Sequence, residues 1–213
     1  MSTSRTPPIA GAAVFLGAFL AASFAGGALG DRGLPLPDAP AADVAAYYGA
    51  NPAAALVVAG LQVVSVLGFA AFARAVSRRP VTAVAAISVL AMLVSSALTV
   101  VLTIVAGSAS LATVQALRLG SFYSGGVGAV VTLGVFVIIT AKGLPARWFG
   151  YVAGSLAILS VLSLAFPVVS VLLPVGRVLS MAWTVVAAIL LARDRRTGLP
   201  SGHGGNRAPV TGR

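Results

Sequence analysis

Apolar residues fall along this chain in six long blocks, at about Ile9–Leu29, Ala53–Ala73, Val81–Ala106, Ser121–Ala141, Trp148–Val171 and Pro174–Ala192. Each reaches the roughly 20 residues that an α-helix needs to cross a hydrocarbon core about 30 Å thick. Helix-start chemistry punctuates the blocks. Asn51-Pro52 predicts a cap followed by a first-turn proline, Pro80 opens the third block, and Pro145 precedes the fifth. Trp148 and Tyr151 then fall at headgroup level. Pro167 predicts a kink in the fifth block, where its ring meets the Ser163 carbonyl, and Pro174 opens the sixth. A very short turn between the last two blocks makes them an antiparallel hairpin.

Two connecting segments carry their own pattern. Gly30–Asn51 predicts a short helix from Asp38 through Tyr48, ended by Gly49. Gly107–Gly120 places Leu111, Val114 and Leu117 at helical spacing behind a Ser110 cap, and is expected to lie on the membrane surface. The first block is too long for a secretory h-region and has only Arg5 before it, so it is expected to be retained as a span. Cleavage near Gly26 or Gly27 would leave five spans and the other loops unchanged.

Composition agrees with the pattern. Hydrophobic residues make up 59% of the chain and charged residues 8%, with a mean hydropathy of +1.03. Charge then orients the bundle. With the N-terminus in the cytoplasm, eleven of the fourteen basic residues fall inside: Arg5, Arg74, Arg78, Arg79, Lys142, Arg147, Arg193, Arg195, Arg196, Arg207 and Arg213. Arg32, Arg118 and Arg177 are the three that fall outside. This is the asymmetry that membrane insertion imposes. The expectation is an all-α integral membrane protein of the cell (inner or plasma) membrane. It comprises a six-transmembrane-helix bundle over residues 1–196, cytoplasmic N- and C-termini, short outer surface helices and a disordered basic cytoplasmic tail over 197–213. The net charge of +10 points to anionic lipid headgroups on the cytoplasmic face, above all at Arg193-Asp194-Arg195-Arg196, and not to nucleic acid.

Absences narrow the chemistry. There is no cysteine or glutamate, one histidine (His203), and only Asp31, Asp38, Asp43 and Asp194 as acids. None lies inside a span. No catalytic residue, cofactor or metal is therefore assigned, and a proton relay is disfavoured. The two halves show no internal similarity of the kind that marks many transporters.

What remains is a set of polar and small residues. Ser88, Met92, Ser95, Thr99 and Thr103 share one face of the third span. Gln62 and Ser65 lie in the second, and Ser180 and Thr184 continue the Arg177 face of the sixth. Gln62, Ser95, Thr99, Arg118 and Arg177 are the candidate polar lining or rim. Alternatively, the hydroxyls bond back to their own helices or join neighbouring ones. Of the neutral groups, the Gln62 amide costs most to leave unpaired. Asp31, Asp38 and Asp43 form an outer acidic cluster, either a binding mouth or partners of Arg32, Arg118 and Arg177 in salt bridges. Small residues recur at every fourth position in Ala13-Gly17-Ala21-Ala25, Ala18-Ala22-Gly26-Gly30 and Gly150-Gly154, and Ser124 pairs with Gly128. Such stripes let helix backbones approach, within this chain or against a membrane protein partner or second copy.

The run Asp43-Val44-Ala45-Ala46-Tyr47-Tyr48 precedes the second span, Leu117-Arg118 a Gly-rich fourth, and Leu144-Pro145-Ala146-Arg147-Trp148 the fifth. Over roughly residues 8–193 this resembles a six-span bacterial membrane protein family, a domain of unknown function. The resemblance implies the six-helix layout and assigns no activity. Three functions stay open: a non-enzymatic accessory, regulatory or envelope component, a channel or facilitator for a small or amphiphilic molecule, and a lipid-modifying enzyme using the outer Asp residues.

Overall fold

The computed structural model describes residues 8–30, 33–35, 38–76, 79–166 and 171–197, except the side chains of 79–80 and 194–197. Among these the chain is all-helical, and six helices are long and apolar enough to cross a membrane. They are α1 (Pro8–Leu29), α3 (Pro52–Val76), α4 (Arg79–Val105), the continuous helix Leu111–Ala141, the helix from Arg147, and α8 (Leu172–Thr197). Helix is what lipid demands, because each backbone N–H and C=O must be satisfied within its own segment. Phe24, Leu67, Leu90 and Ile104 stand exposed on the outside of the bundle, as residues that face acyl chains do. Up-and-down alternation of six spans brings both chain ends to one end of the bundle. The short helix α2 (Ala41–Ala50) lies at the other, packed on α5 (Leu111–Ser121).

Several boundaries depart from the sequence pattern. Helix α2 starts at Ala41, behind Pro40, and runs through Gly49 to Ala50. Asn51 closes it: its backbone N–H and side-chain amide both donate to the Tyr47 carbonyl, at 2.9 and 3.1 Å. Its own carbonyl accepts the first bond of α3, from Ala55 at 3.1 Å. Ser110 does cap α5, accepting from Thr113 N at 3.2 Å. Yet α5 is no separate surface helix. It runs on through a π-helical segment, Phe122–Gly128, into α6 (Ala129–Ala141). Helix α7 (Arg147–Leu159) tightens into a 3-10 turn over Ser160–Leu164, ahead of Pro167, which lies outside the described residues. Pro174 sits within the first turn of α8 and does not open it, and the helix extends past Ala192 to Thr197. The rest of the expected tail, 198–213, lies outside the described residues.

Helix packing follows backbone approach. A Cβ on Gly11 would stand 2.8 Å from Phe72 N, and one on Gly68 2.6 Å from Phe15 N, so α1 and α3 touch main chain to main chain. Helices α6 and α7 meet the same way at Gly134 and Gly154, where either Cβ would lie 2.6 or 2.7 Å from the other's carbonyl oxygen. Gly150 makes room for Trp183, and Gly176 for the Ala157 backbone. The Ala13-Gly17-Ala21 stripe of α1 is exposed, and a Cβ on Gly17 would meet nothing within 4 Å. On the second stripe Ala22 is buried and Gly26 meets Val58 of α3, but the closest approach to α3 is at Gly11 and Phe15, where α3 presents Gly68. Gly134→Ala should therefore lower stability by about 1–3 kcal/mol through overpacking. Gly17→Ala should leave it unchanged, and thermal unfolding of the purified variants in one detergent measures both.

Candidate functional site

At the chain-terminal end the bundle is filled solid. Phe15, Phe69, Phe72 and Phe136 are fully buried, with ring centroids 5.0 Å apart for Phe15–Phe69, 5.1 Å for Phe69–Phe136 and 6.1 Å for Phe72–Phe136. Just above them Ser65 Oγ donates to the Phe15 carbonyl at 2.6 Å and fastens α3 to α1. Beyond that layer α1 and α3 lose their glycine contact: nothing lies within 4 Å of a Cβ on Gly60, and Gly26 meets only a Val58 methyl, at 3.5 Å. A cavity of about 520 Å³ fills the space between α1, α3, α4, the π segment and α8.

Its roof is the cap that α2 forms with α5. Val44, Tyr47 and Tyr48 pack with Ala55, Leu102, Ala106 and Val114 in a small apolar cluster of their own. Tyr47 and Tyr48 meet edge to face, with centroids 5.4 Å apart, and both line the cavity. Arg118, buried on α5, also lines it and donates through Nη2 to the Pro35 carbonyl, pinning the 33–35 segment over the opening. The wall reaches the surface at Ser23, Gly27, Gly33 and Leu34, all exposed, which marks the mouth.

The π segment forms one wall. A widened turn of this kind places side chains and carbonyls out of the α-helical register. Gly125 permits it locally, since a Cβ there would overlap the Ser95 hydroxyl. Ser95 Oγ donates to the Ser121 carbonyl at 2.9 Å, and Ser121 Oγ lies 3.0 Å from both Ser95 Oγ and Thr99 Oγ1. Phe122, Gly125 and Gly126 complete this side.

All five candidate lining residues, Gln62, Ser95, Thr99, Arg118 and Arg177, border this one cavity. They do not trace a path across the bundle. Of the α4 stripe only Met92, Ser95 and Thr99 reach the cavity. Thr103 bonds back to the Thr99 carbonyl at 2.8 Å, and Ser88 donates to the Ala129 carbonyl at 3.1 Å. On α8, Thr184 bonds back to Met181 O at 2.6 Å. The hydroxyls are thus spent on the protein. Gln62 has no such bond, and Arg177 stacks its guanidinium on the Phe19 ring, 4.5 Å from the centroid, leaving its buried Nε without an acceptor.

The acidic cluster is not assembled at this site. Asp38 and Asp43 are exposed on the cap, Asp43 beside a separate groove with Ala46 and Asn51, while Asp31 and Arg32 lie outside the described residues. Salt bridges from Arg118 and Arg177 to Asp38 or Asp43 do not form, because the helix geometry turns the guanidiniums inward to Pro35 and Phe19. Among the described residues no group of three His, Cys, Asp or Glu side chains comes together to hold a metal. Sequence reasoning missed Phe19, Ser121 and Phe122. The Gly125-Gly126-Val127-Gly128 run was the one signal near them, and it reads as small-residue packing.

Compared with known protein families, curated proteins and solved structures, the chain finds no match in any of the three, and none of them bears on the six-span resemblance. Geometry alone therefore carries the functional argument.

Two measurements test this architecture. Gly125→Ala should destabilise the protein by about 1–3 kcal/mol, and Ser95→Gly in the same chain should recover much of that loss by removing the overlapping hydroxyl. A double-mutant cycle in thermal unfolding reads the coupling. Burial pushes the Tyr48 phenol above its ordinary value of 10.0, partly offset by the Arg118 charge. The unfolded chain then ionises first, so stability should fall as pH rises above 10.0. Tyr48→Phe should flatten that fall in an alkaline unfolding series.

Proposed function

We propose that the protein is a non-enzymatic binding component of the cell membrane that takes a small amphiphilic molecule into the cavity beneath the α2–α5 cap. The observation that carries this reading is a cavity of about 520 Å³ that opens at Ser23, Gly27, Gly33 and Leu34 and is bounded inside the bundle by the buried Val66 and Met92. Ligand sites are concave, about 300–1,000 Å³, and mostly apolar with a few placed polar groups. Phe19, Val58, Val66 and Met92 supply the apolar wall, and Gln62, Arg118 and Arg177 the polar points.

The orientation rests on charge. Eleven basic residues against three place the chain ends in the cytoplasm and the cap and mouth outside, with the inner basic residues held to anionic headgroups. An amphiphile would then enter from the outer leaflet or the outer face. Two further features favour capture over conduction. The Phe15–Phe69–Phe136–Phe72 layer is fully buried on the inner side of the bundle, and Ser88 of the α4 stripe is spent on the Ala129 carbonyl. Capture suits an accessory or envelope role, in which the protein holds its occupant for a membrane partner.

Gentle extraction into nanodiscs followed by native mass spectrometry tests the reading. Wild-type protein should retain one amphiphile per chain, and Val58→Trp, which fills the cavity, should be folded by thermal unfolding yet carry none. Identical bound species on both proteins would overturn the proposal. Sealed vesicles containing the protein should pass no small solute. Protein-dependent flux that Gln62→Leu abolishes would replace binding with conduction.

A further inference from the structure

We infer that the cavity holds the anionic headgroup, a phosphate or carboxylate, of a single-chain amphiphile against the Arg118 and Arg177 guanidiniums. This rests on the binding reading above and adds the charge of the occupant. A guanidinium carries five N–H donors. Arg118 gives one to the Pro35 carbonyl, Arg177 gives none to the protein, and both Nε groups are buried without an acceptor. A cation withdrawn from water needs an opposite charge or a full set of acceptors. Among the described residues no carboxylate lines the cavity, since Asp38 and Asp43 are exposed on the cap.

Arg177 has an obvious alternative. Near the end of its helix, its side chain has the reach to extend to the interface and stay hydrated. Instead its guanidinium carbon sits over the Phe19 ring, 4.5 Å from the centroid, with Nε enclosed. That contact leaves the guanidinium's N–H groups free, and one N–H edge of a guanidinium can bind phosphate or carboxylate through two parallel hydrogen bonds. The Phe19 ring supplies cation–π attraction but no acceptor for that edge. The apolar part of the wall sets the tail. Ala22, Val58, Val66 and Met92 offer nothing to a polar group, so a free inorganic anion would leave that part of the cavity without complementary contact.

The test uses purified full-length protein in zwitterionic nanodiscs, titrated with dodecyl phosphate, dodecanol and inorganic phosphate. Dodecyl phosphate should bind about tenfold to a hundredfold more tightly than dodecanol, the range that charged hydrogen bonds give. Arg177→Gln should reduce that ratio to within about twofold and leave dodecanol affinity unchanged, and Arg177→Lys should restore part of it. Arg118→Gln should act in the same direction. It also removes the bond to Pro35, so Arg177→Gln keeps the test decisive should that variant unfold. Equal affinity for the phosphate and the alcohol overturns the anionic assignment and leaves the binding reading standing. Failure of both probes to bind removes both. Inorganic phosphate binding as tightly as dodecyl phosphate assigns the site to a free anion and overturns the amphiphile.

Discussion

Main-chain contact between α1 and α3 governs this structure. In lipid there is no hydrophobic force to press one apolar helix on another, so association depends on how closely backbones can come. At Gly11 and Gly68 they come within the radius of a missing Cβ. The contact occurs once, toward the chain-terminal end. Above it the facing residues are Gln62, Val58 and Ala55, and the two helices no longer touch through glycine. One tight crossing therefore fixes two things together, the sealed aromatic layer and the open space beyond it. On the other side α6, α7 and α8 are joined through Gly134, Gly150, Gly154 and Gly176 over much of their length.

The cap depends on the same helix that walls the cavity. Leu111–Ala141 is 31 residues long, about 46 Å at the helical rise. That exceeds a hydrocarbon core of about 30 Å, so its first turns stand beyond the bundle, where α2 packs on them. The π segment lies at the junction between projecting turns and buried turns. A shift of register there alters the facing of everything N-terminal to it, and Arg118 lies only four residues before its start. The hydroxyl cluster of Ser95, Thr99 and Ser121 ties this junction to α4. Roof, wall and cation are thus positioned by one helix with one irregularity.

Much of this was legible in the sequence, and the reason is the solvent. A bilayer imposes a length and an apolar composition, so the six spans emerge from hydropathy, and Ser110 declares its cap because the α5 N-terminus needs one. Gln62, Arg118 and Arg177 stood out because a polar group at such a position is costly. Their assembly did not stand out. Phe15, Phe69, Phe72 and Phe136 read as ordinary span residues, yet they assemble into one fully buried aromatic layer. The α1 packing face was only partly legible for a related reason. Alanine and glycine occur all round that helix, so spacing offered two stripes, of which Ala13, Gly17 and Ala21 are exposed while Ala22 is buried and Gly26 meets Val58, and the closest contact, at Gly11, depended on where α3 carries Gly68. The π segment left no periodic trace, since a register shift within a glycine-rich run changes no hydrophobic spacing. Asn51 looked like the start of α3, and it serves both helices: its carbonyl accepts the first bond of α3, while its backbone N–H and side-chain amide donate to the Tyr47 carbonyl and close α2.

Energetics separate the two arginines from the rest of the polar set. A serine or threonine in a span can bond to its own helix, as Thr103 and Thr184 do, or to a neighbouring one, as Ser65 and Ser88 do. A guanidinium has no such exit. Placing arginine at the centre of a spanning helix costs about 2.5–3.5 kcal/mol on an insertion scale, and the cost rises as the group is cut off from water. Here the cost is moderated by position and by neighbours: Arg118 takes one carbonyl, Arg177 one aromatic face, and both border a cavity that reaches the surface. None of these supplies a counter-charge. Among the described residues no carboxylate lines the cavity that these two cations share. A fold that leaves this electrostatic debt open at a ligand-sized cavity is complementary to an anion before any anion arrives. That complementarity is what distinguishes the pocket from a mere packing gap between splayed helices.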